Sequence, residues 1–213
     1  MSTKTVSGNF FEDFRVGQVI DHATPRTVTA ADQALYTALY GSRFALHSSD
    51  EFARALGYER APVDDLLAFH MVFGKTVPDI SLNAIANLGY AGGVFGAPIY
   101  PGDTVRTRST VTGLKQNSNG KTGVVYVRSV GSNQRDEVVL DYTRWVMVKK
   151  RDPEALAPET VLPELNTRVA PERLKIPEGL QLQRYDDTQA GSGFRWGDYE
   201  VGEKIDHVDG MTI

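Results

Sequence analysis

A chain of 213 residues with 41% hydrophobic content holds enough apolar mass for one ordinary domain with an added segment, or for two small domains. Its net charge of −4 and pI near 5.6, with both signs interspersed, leave no basic stripe for nucleic acid. The absence of cysteine excludes disulfides, thiolate catalysis and Cys-ligated zinc, and four scattered histidines lack metal-ligand spacing, so no metal site is expected.

The opening MSTKTVSGNFFEDF has no apolar run of the kind a signal peptide or membrane anchor needs, so a cytoplasmic protein with no membrane partner is expected. Two stretches then match one another. Residues 9–22 read NFFEDFRVGQVIDH and residues 195–207 read RWGDYEVGEKIDH. Asp13, Phe14, Val16, Gly17, Ile20, Asp21 and His22 align with Asp198, Tyr199, Val201, Gly202, Ile205, Asp206 and His207, and Thr27 aligns with Thr212. Agreement of this density marks an internal repeat. It predicts that residues 195–213 begin a second, truncated copy of the domain, and it suggests a shared structural role for His22 and His207.

The first copy continues with a strand over 18–28. Thr29 is a good N-cap for the helix AADQALYTALY, which Gly41 closes. Ser48 with Glu51 forms a capping-box pattern and starts a short helix over 49–56, ended by Gly57. Between these two helices, in a loop, lies His47. Residues 63–75 (VDDLLAFHMVFGK) are apolar on every side after Asp64 and Asp65, and a helix of that kind is buried all round. Either aspartate can cap its first turn and Gly74 can close its last. His70, midway along, reads as a satisfied core histidine, and Pro78 follows the helix end. About a dozen residues is too short to span a bilayer.

Strand-like segments follow over 81–95, 104–114, 123–130 and 137–149, with a two-proline bend at 97–103 and a hairpin turn at 117–121. The strand over 81–95 is rich in glycine, as where another backbone or a ligand comes close. The strand over 104–114 alternates Val105, Thr107, Ser109 and Val111 against wetter neighbours. Helices first and an antiparallel sheet after them give an α+β class. An apolar helix followed by strands suggests the hot-dog layout, a sheet wrapped around a central helix; an ordinary core helix in another α+β fold is the alternative. From residue 151 to 193 periodicity fades and five of the ten prolines fall, so residues 151–194 read as a linker between a domain at 1–150 and the second copy.

Several residues carry candidate chemistry. An imidazole at the mouth of a cleft can take a proton from water near neutral pH, and His47 is placed to be aimed that way, although a histidine near a helix start also serves structural ends. Asp64 and Asp65 are neighbours that point apart, so they read as caps rather than as an acid–base pair. The free N–H groups at the start of the apolar helix can hold a thioester carbonyl or a developing enolate. No GxGxxG, GxxxxGK or GxSxG motif is present, so no nucleotide cofactor or serine elbow is expected.

The segments GSRFALH, SSDEFA and APIYPGDTV resemble the MaoC-like (R)-specific enoyl-CoA hydratases, hot-dog proteins often built as two fused copies. Their motif Gly-Asp-x-Asn-Pro-x-His reads here Gly41-Ser42-Arg43-Phe44-Ala45-Leu46-His47: the glycine and histidine are kept, while Ser42, Phe44 and Ala45 replace Asp, Asn and Pro. With NFFEDFRVGQ, LHSSDEFARALGY and NLGYAGGVFGAPIYPGDTV, the likeness is closest to the two-copy mesaconyl-CoA hydratases and covers the whole chain. It implies the first copy of a double hot-dog and a hydro-lyase that reversibly adds water to a branched enoyl-CoA thioester. The thioester is then substrate and no other cofactor is needed. His47 would deprotonate the water or position it, and either a carboxylate such as Asp50 would stand in for the replaced aspartate or the working site would draw on the second copy. The CoA arm would run by Pro62, Val63, Asp64 and Asp65, by Ile85, Ala86, Asn87 and Leu88, and by Gly96, Ala97 and Pro98. The copy would pair with its twin or with another chain as a homo-oligomer. A hot-dog thioesterase, with Asp64 its nearest carboxylate, and a non-catalytic acyl-CoA-binding half are the competing readings.

Overall fold

The structure, a computed structural model, describes residues 7–42, 44–191 and 193–206. The chain divides into two compact units. One is drawn from the chain up to Thr27, from Ala68–Ala97 and from Asp103–Ile176; the other from Val28–Leu67, from Pro98–Gly102 and from the chain after Pro177.

The first unit is built on a five-stranded antiparallel sheet of β1 (Val19–Thr27), β2 (Ala84–Phe95), β3 (Thr104–Gln116), β4 (Thr122–Ser132) and β5 (Val138–Lys149), in the order β1-β3-β4-β5-β2. β3 shows the expected alternation: Val105, Thr107, Ser109 and Val111 face inward. Residues 68–76 of the helix Asp65–Thr76 lie on this sheet. Gly131 on β4 makes the fit, because a Cβ there would collide with the Val72 side chain. The Thr107 hydroxyl donates to the Val72 carbonyl at 3.2 Å. A second layer of core gathers Phe11, Phe14 and Ile80 against Val111, Leu114, Val125, Val127, Val146 and Val148.

The central helix is not buried all round. Leu67, Ala68, Met71, Val72 and Thr76 are buried, while Leu66, His70 and Gly74 form an exposed stripe at four-residue spacing. One sheet covers one face of a helix, so His70 is on the open side rather than in the core. Nor does Gly74 end the helix, which runs to Thr76 and continues as a π-helical turn, Val77–Ser81, that takes in Pro78. That turn brings Asp79 to His22 on β1. Nδ1 of His22 meets the Asp79 carboxylate at 2.7 Å, Nε2 meets the Ser109 hydroxyl at 2.8 Å, and Ser109 meets Ser129 at 2.7 Å. The histidine is structural, as its place in the repeat suggested; its counterpart His207 lies outside the described residues.

The second unit holds α1 (Ala30–Tyr40), α2 (Ala45–Ser48), α3 (Asp50–Ala55) and the first turn of the central helix, α4 (Asp65–Thr76). Thr29 and Asp32 cap α1 reciprocally, and Gly41 closes it in the left-handed conformation. The segment expected as a loop before α3 is the single turn α2. Its presence shifts the α3 cap by one residue: Ser49 accepts from the Phe52 N–H at 3.2 Å, whereas the Ser48 hydroxyl donates back to the Phe44 carbonyl. A short helix, α5 (Asp187–Ala190), packs Ala190 against Ala45, Phe52 and Leu56.

The repeat extends to individual hydrogen bonds. Phe11–Asp13 and Trp196–Asp198 each form one 3-10 turn, with the Phe10 N–H bound to the Asp13 carboxylate at 2.9 Å and the Arg195 N–H bound to Asp198 at 2.7 Å. Downstream, the Arg15 N–H reaches the Gln18 side chain at 3.0 Å and the Glu200 N–H reaches the Glu203 side chain at 2.9 Å. Gly17 and Gly202 between them share φ values of 82° and 88°. Burial differs: Phe11 and Phe14 are fully buried, while Trp196 is 94% exposed.

Two measurements check this packing. Gly131→Ala is expected to destabilise by about 1–3 kcal/mol in urea unfolding, the range for overpacking a core. The double variant with Val72→Ala should lose less than the sum of the singles, because the clash is removed. Burial lowers the His22 pKa below the usual histidine value, so the native state resists the proton that the unfolded chain accepts. The contribution of His22 is therefore complete above pH about 6.5 and falls away as pH drops through the lowered folded value. The stability gap between the native sequence and His22→Gln should shrink between pH 7.5 and 5.

Candidate functional site

The turn α2 carries His47 and buries it to 8% exposure. Its Nδ1–H donates to the Pro62 carbonyl at 3.2 Å. The Gln33 amide of α1 donates to the His47 carbonyl at 3.0 Å and to the Pro62 carbonyl at 3.3 Å, so one side chain ties both segments together. With Nδ1 as donor, the ring is in the tautomer whose Nε2 can accept a proton. Phe44, which stands where the motif has Asn, sets its ring edge-on to the imidazole at 5.2 Å.

Three carboxylates in this unit have different fates. Asp50 accepts from the Ala61 N–H at 2.9 Å and from the Arg54 guanidinium at 2.9 Å. These partners hold its carboxyl below the usual range, so it stays ionised and anchors the segment that leads to Pro62. Asp64 caps α4 by accepting from the Leu66 N–H at 2.8 Å, and its other oxygen accepts from the Ser42 hydroxyl at 2.7 Å. Thus the serine that replaces the motif aspartate brings a carboxylate with it. Asp65 makes no hydrogen bond to another described residue. One edge is open to solvent, yet the protein packed behind it pushes the carboxyl upward; the His47 imidazole pulls it back and Asp64 adds to the rise. Hydrogen bonds bring His47 and Pro62 together, the charge of His47 is felt at Asp65, and Asp50 is engaged by Ala61 and Arg54.

The other expected contact residues have fewer free groups than the sequence suggested. The Val63 N–H is taken by the Ile99 carbonyl at 2.7 Å, and those of Gly96 and Ala97 by Val139 and Val138 at 2.9 and 2.8 Å. A Cβ at Gly96 would run into the Val138 carbonyl. Ile85 and Leu88 on β2 are exposed, Ala86 is partly buried, and the Asn87 amide is bound to the Tyr90 hydroxyl. Glycine at position 89 has a packing reason, since a Cβ would enter the Trp145 ring. Beyond it, an open groove of about 440 Å³ is lined by Tyr90, Ala91, Gly92, Gly93, Trp145 and residues 165–169. Pro98 belongs to the second unit.

Sequence reasoning missed Gln33, whose helix position carries no signal of its own. It also missed Arg144, where a signal existed: a cation falls in phase with Tyr142, Val146 and Val148 on the buried face of β5.

Residues 2–182 match the family model described as mesaconyl-CoA hydratase. The chain is 68% identical over all 213 residues to a β-methylmalyl-CoA dehydratase of Chloroflexus aurantiacus, and spans 60% of that relative's length. Among solved structures it is similar to a putative MaoC domain protein dehydratase of the same organism, with a TM-score of 0.91 and 68% identity over 98% of this chain and 59% of that one. A conserved hypothetical protein of Mycobacterium tuberculosis, described as a double hot-dog fold, matches at a TM-score of 0.66 and 28% identity over 74% of this chain and 48% of that one. No helix among the described residues is long and apolar enough to cross a membrane. The chain is a hot-dog protein and belongs to the mesaconyl-CoA hydratase family.

Proposed function

We propose that this chain is the first half of a double hot-dog hydro-lyase that reversibly adds water to a branched enoyl-CoA thioester of the mesaconyl-CoA or β-methylmalyl-CoA type. The observation that carries it is the His47 imidazole, held by the Pro62 carbonyl through Nδ1 with Nε2 left open, in the same unit as Asp65, a carboxyl that has no hydrogen bond among the described residues and is pushed upward by burial while the charge of His47 pulls it back. Hydration needs a base for water as it attacks Cβ and an acid for Cα. Nε2 of His47 takes the water proton, the Asp65 carboxyl delivers one to Cα, and transfer from imidazolium to carboxylate resets the pair. The first-turn N–H groups of α4 other than that of Leu66, which Asp64 takes, are suited to the charge that gathers on the thioester oxygen. Asp50 acts here as a positioning group, through Ala61, for the carbonyl that orients His47.

The thioester is the substrate, and the catalytic steps call on no other cofactor. Pro62, Val63, Asp64 and Asp65 contact the acyl end. Residues 151–194 connect the two halves, and residues 195–213 open the second. The repeated turn supports this, because Trp196 and Tyr199 repeat residues that the first copy buries, yet stand 94% and 50% exposed. The edge strand β2, with Ile85, Leu88 and Tyr90 exposed, suits pairing with that second half or with another chain.

A second reading has a specific observation behind it. Phe44 and the burial of His47 suit a half that binds acyl-CoA while its twin carries the chemistry. One assay on the intact protein separates the readings: loss of enoyl-thioester absorbance without free thiol marks hydration, and free thiol marks hydrolysis. In that assay His47→Ala and Asp65→Asn should each lower turnover by about 100-fold or more, and Asp50→Asn by about 10-fold or less. Unchanged turnover in the first two, with folding intact, assigns the chemistry to the twin.

A further inference from the structure

The edge strand β2 carries no charged residue, yet the groove beside it is cationic. Its larger part, about 440 Å³, lies between the strand and residues 165–169. A recess of about 310 Å³ adjoins it, shares Asn166, Thr167 and Arg168, and adds Arg173. Every lining residue belongs to the first unit. The larger part alone has the volume of a small-molecule site, roughly 300–1,000 Å³. Arg168 and Arg173 are exposed, and neither guanidinium has a hydrogen bond or ion pair among the described residues. Elsewhere on the sheet Arg108 and Arg128 are neutralised by Asp21 and Asp141. The carboxylates of the arginines' own segment, Glu164 and Glu172, line neither part of the groove.

The glycines of β2 do not all have the same cause. Packing requires Gly89, but a Cβ at Gly92 would meet only Nη1 of Arg173, at 3.7 Å, and one at Gly93 nothing closer than 3.9 Å. Gly92 is at least left-handed, with φ 63°; Gly93 is not, so neither crowding nor backbone conformation explains it. Both fall inside the register break between Ala91 and Val94, where the ladder with β5 is interrupted. Bare backbone therefore faces an unpaired guanidinium, as where a ligand comes close. The groove is also polar at one end and apolar at the other. Tyr90 and Trp145 line the larger part only, Arg173 the recess only, and Arg168 both. Tyr90 is 47% exposed, and Trp145 is backed by the Tyr126 ring at 6.1 Å, so the apolar end has a firm wall.

We propose that this groove binds a phosphorylated adenosine, with the base against Tyr90 and Trp145, the ribose beside Asn166 and Thr167, and the phosphate groups on Arg168 and Arg173. Flat rings take a base by its face, and paired guanidinium N–H groups match phosphate oxygens. The choice of adenosine rests on the acyl-CoA reading above, because CoA carries that nucleoside with its phosphates; the groove itself asks only for a flat base and anionic groups. The nucleotide end of the thioester and a free adenine nucleotide share this chemistry.

Calorimetric titration of the intact protein with adenosine 3′,5′-bisphosphate tests the site without turnover. Arg168→Ala and Arg173→Ala should each weaken binding by about 10-fold, the scale for a hydrogen bond to a charged group. Both side chains are exposed and bonded to no described residue, so the variants should keep the native Tm and lost binding then reports the groove. KM separates the two sources. If the nucleotide is the substrate's own, the double variant raises KM for the CoA thioester and leaves that for the matching pantetheine thioester, which has no nucleotide, unchanged. If it is a free nucleotide, bisphosphate binding falls while both KM values stay. Where neither thioester is hydrated but bisphosphate binding depends on the two arginines, the hydro-lyase reading fails and the nucleotide groove survives. Binding that is absent from the native protein, or equally tight in the double variant, refutes the groove. Inorganic pyrophosphate binding as tightly as the bisphosphate refutes it also, since the base would then contribute nothing.

Discussion

Where β4 passes under the central helix it carries Gly131, and the gap that glycine leaves is filled by Val72. The helix backbone can therefore come close enough for Thr107 to donate to its carbonyl, and the last turn is drawn down until Thr76 is fully buried. From that point the rest of the unit follows. Thr76 accepts from Arg144, the π-helical turn after it swings Asp79 onto His22, and Ile80 of the same turn enters the layer of core that holds Phe11 and Phe14. One close approach thus sets the depth of the helix, and polar groups rather than further apolar contact fix where its end is pinned.

At the other end of the same helix the constraint is electrostatic. Two consecutive aspartates begin α4, and the backbone sends their side chains apart. Asp64 is consumed by the cap and by Ser42, so both of its oxygens are taken. Asp65 receives no donor and keeps the company of His47. Identical side chains one residue apart are therefore suited to different work, and the difference comes from which N–H and O–H groups reach each of them. Gln33, two carbonyls at once, supplies the rigidity that keeps the imidazole in place.

Much of this was legible before any coordinates. The Thr29 cap, the stop at Gly41, the alternation of β3 and the repeat at residue 195 rest on local rules that tertiary contacts did not override. The errors arose where a local rule needed a partner to decide it. His70 looked internal because its neighbours in sequence are apolar, but a helix lying on a single sheet has an open side, and His70 shares that side with Leu66 and Gly74. Ser48 and Ser49 are both good caps, and only the extra turn of α2 chooses between them. Asp50, expected to stand in for the replaced aspartate, has oxygens engaged by Ala61 and Arg54, partners that no spacing rule foretells. Arg144 is the opposite case, a cation in phase with a buried row, visible in the sequence once the strand period is taken seriously.

The line of contacts from Asp79 through His22 to Ser109 has the order and spacing of a hydrolase triad: carboxylate, imidazole and hydroxyl at 2.7 and 2.8 Å. Yet the serine is fully buried and its oxygen is shared with Ser129. No electrophile can approach it, and the same alignment that elsewhere generates an alkoxide here only rivets a turn to two strands. Nucleophilicity in such a constellation is thus conferred by a reachable face, and a fold can keep the three groups in order as long as it keeps the hydroxyl out of reach.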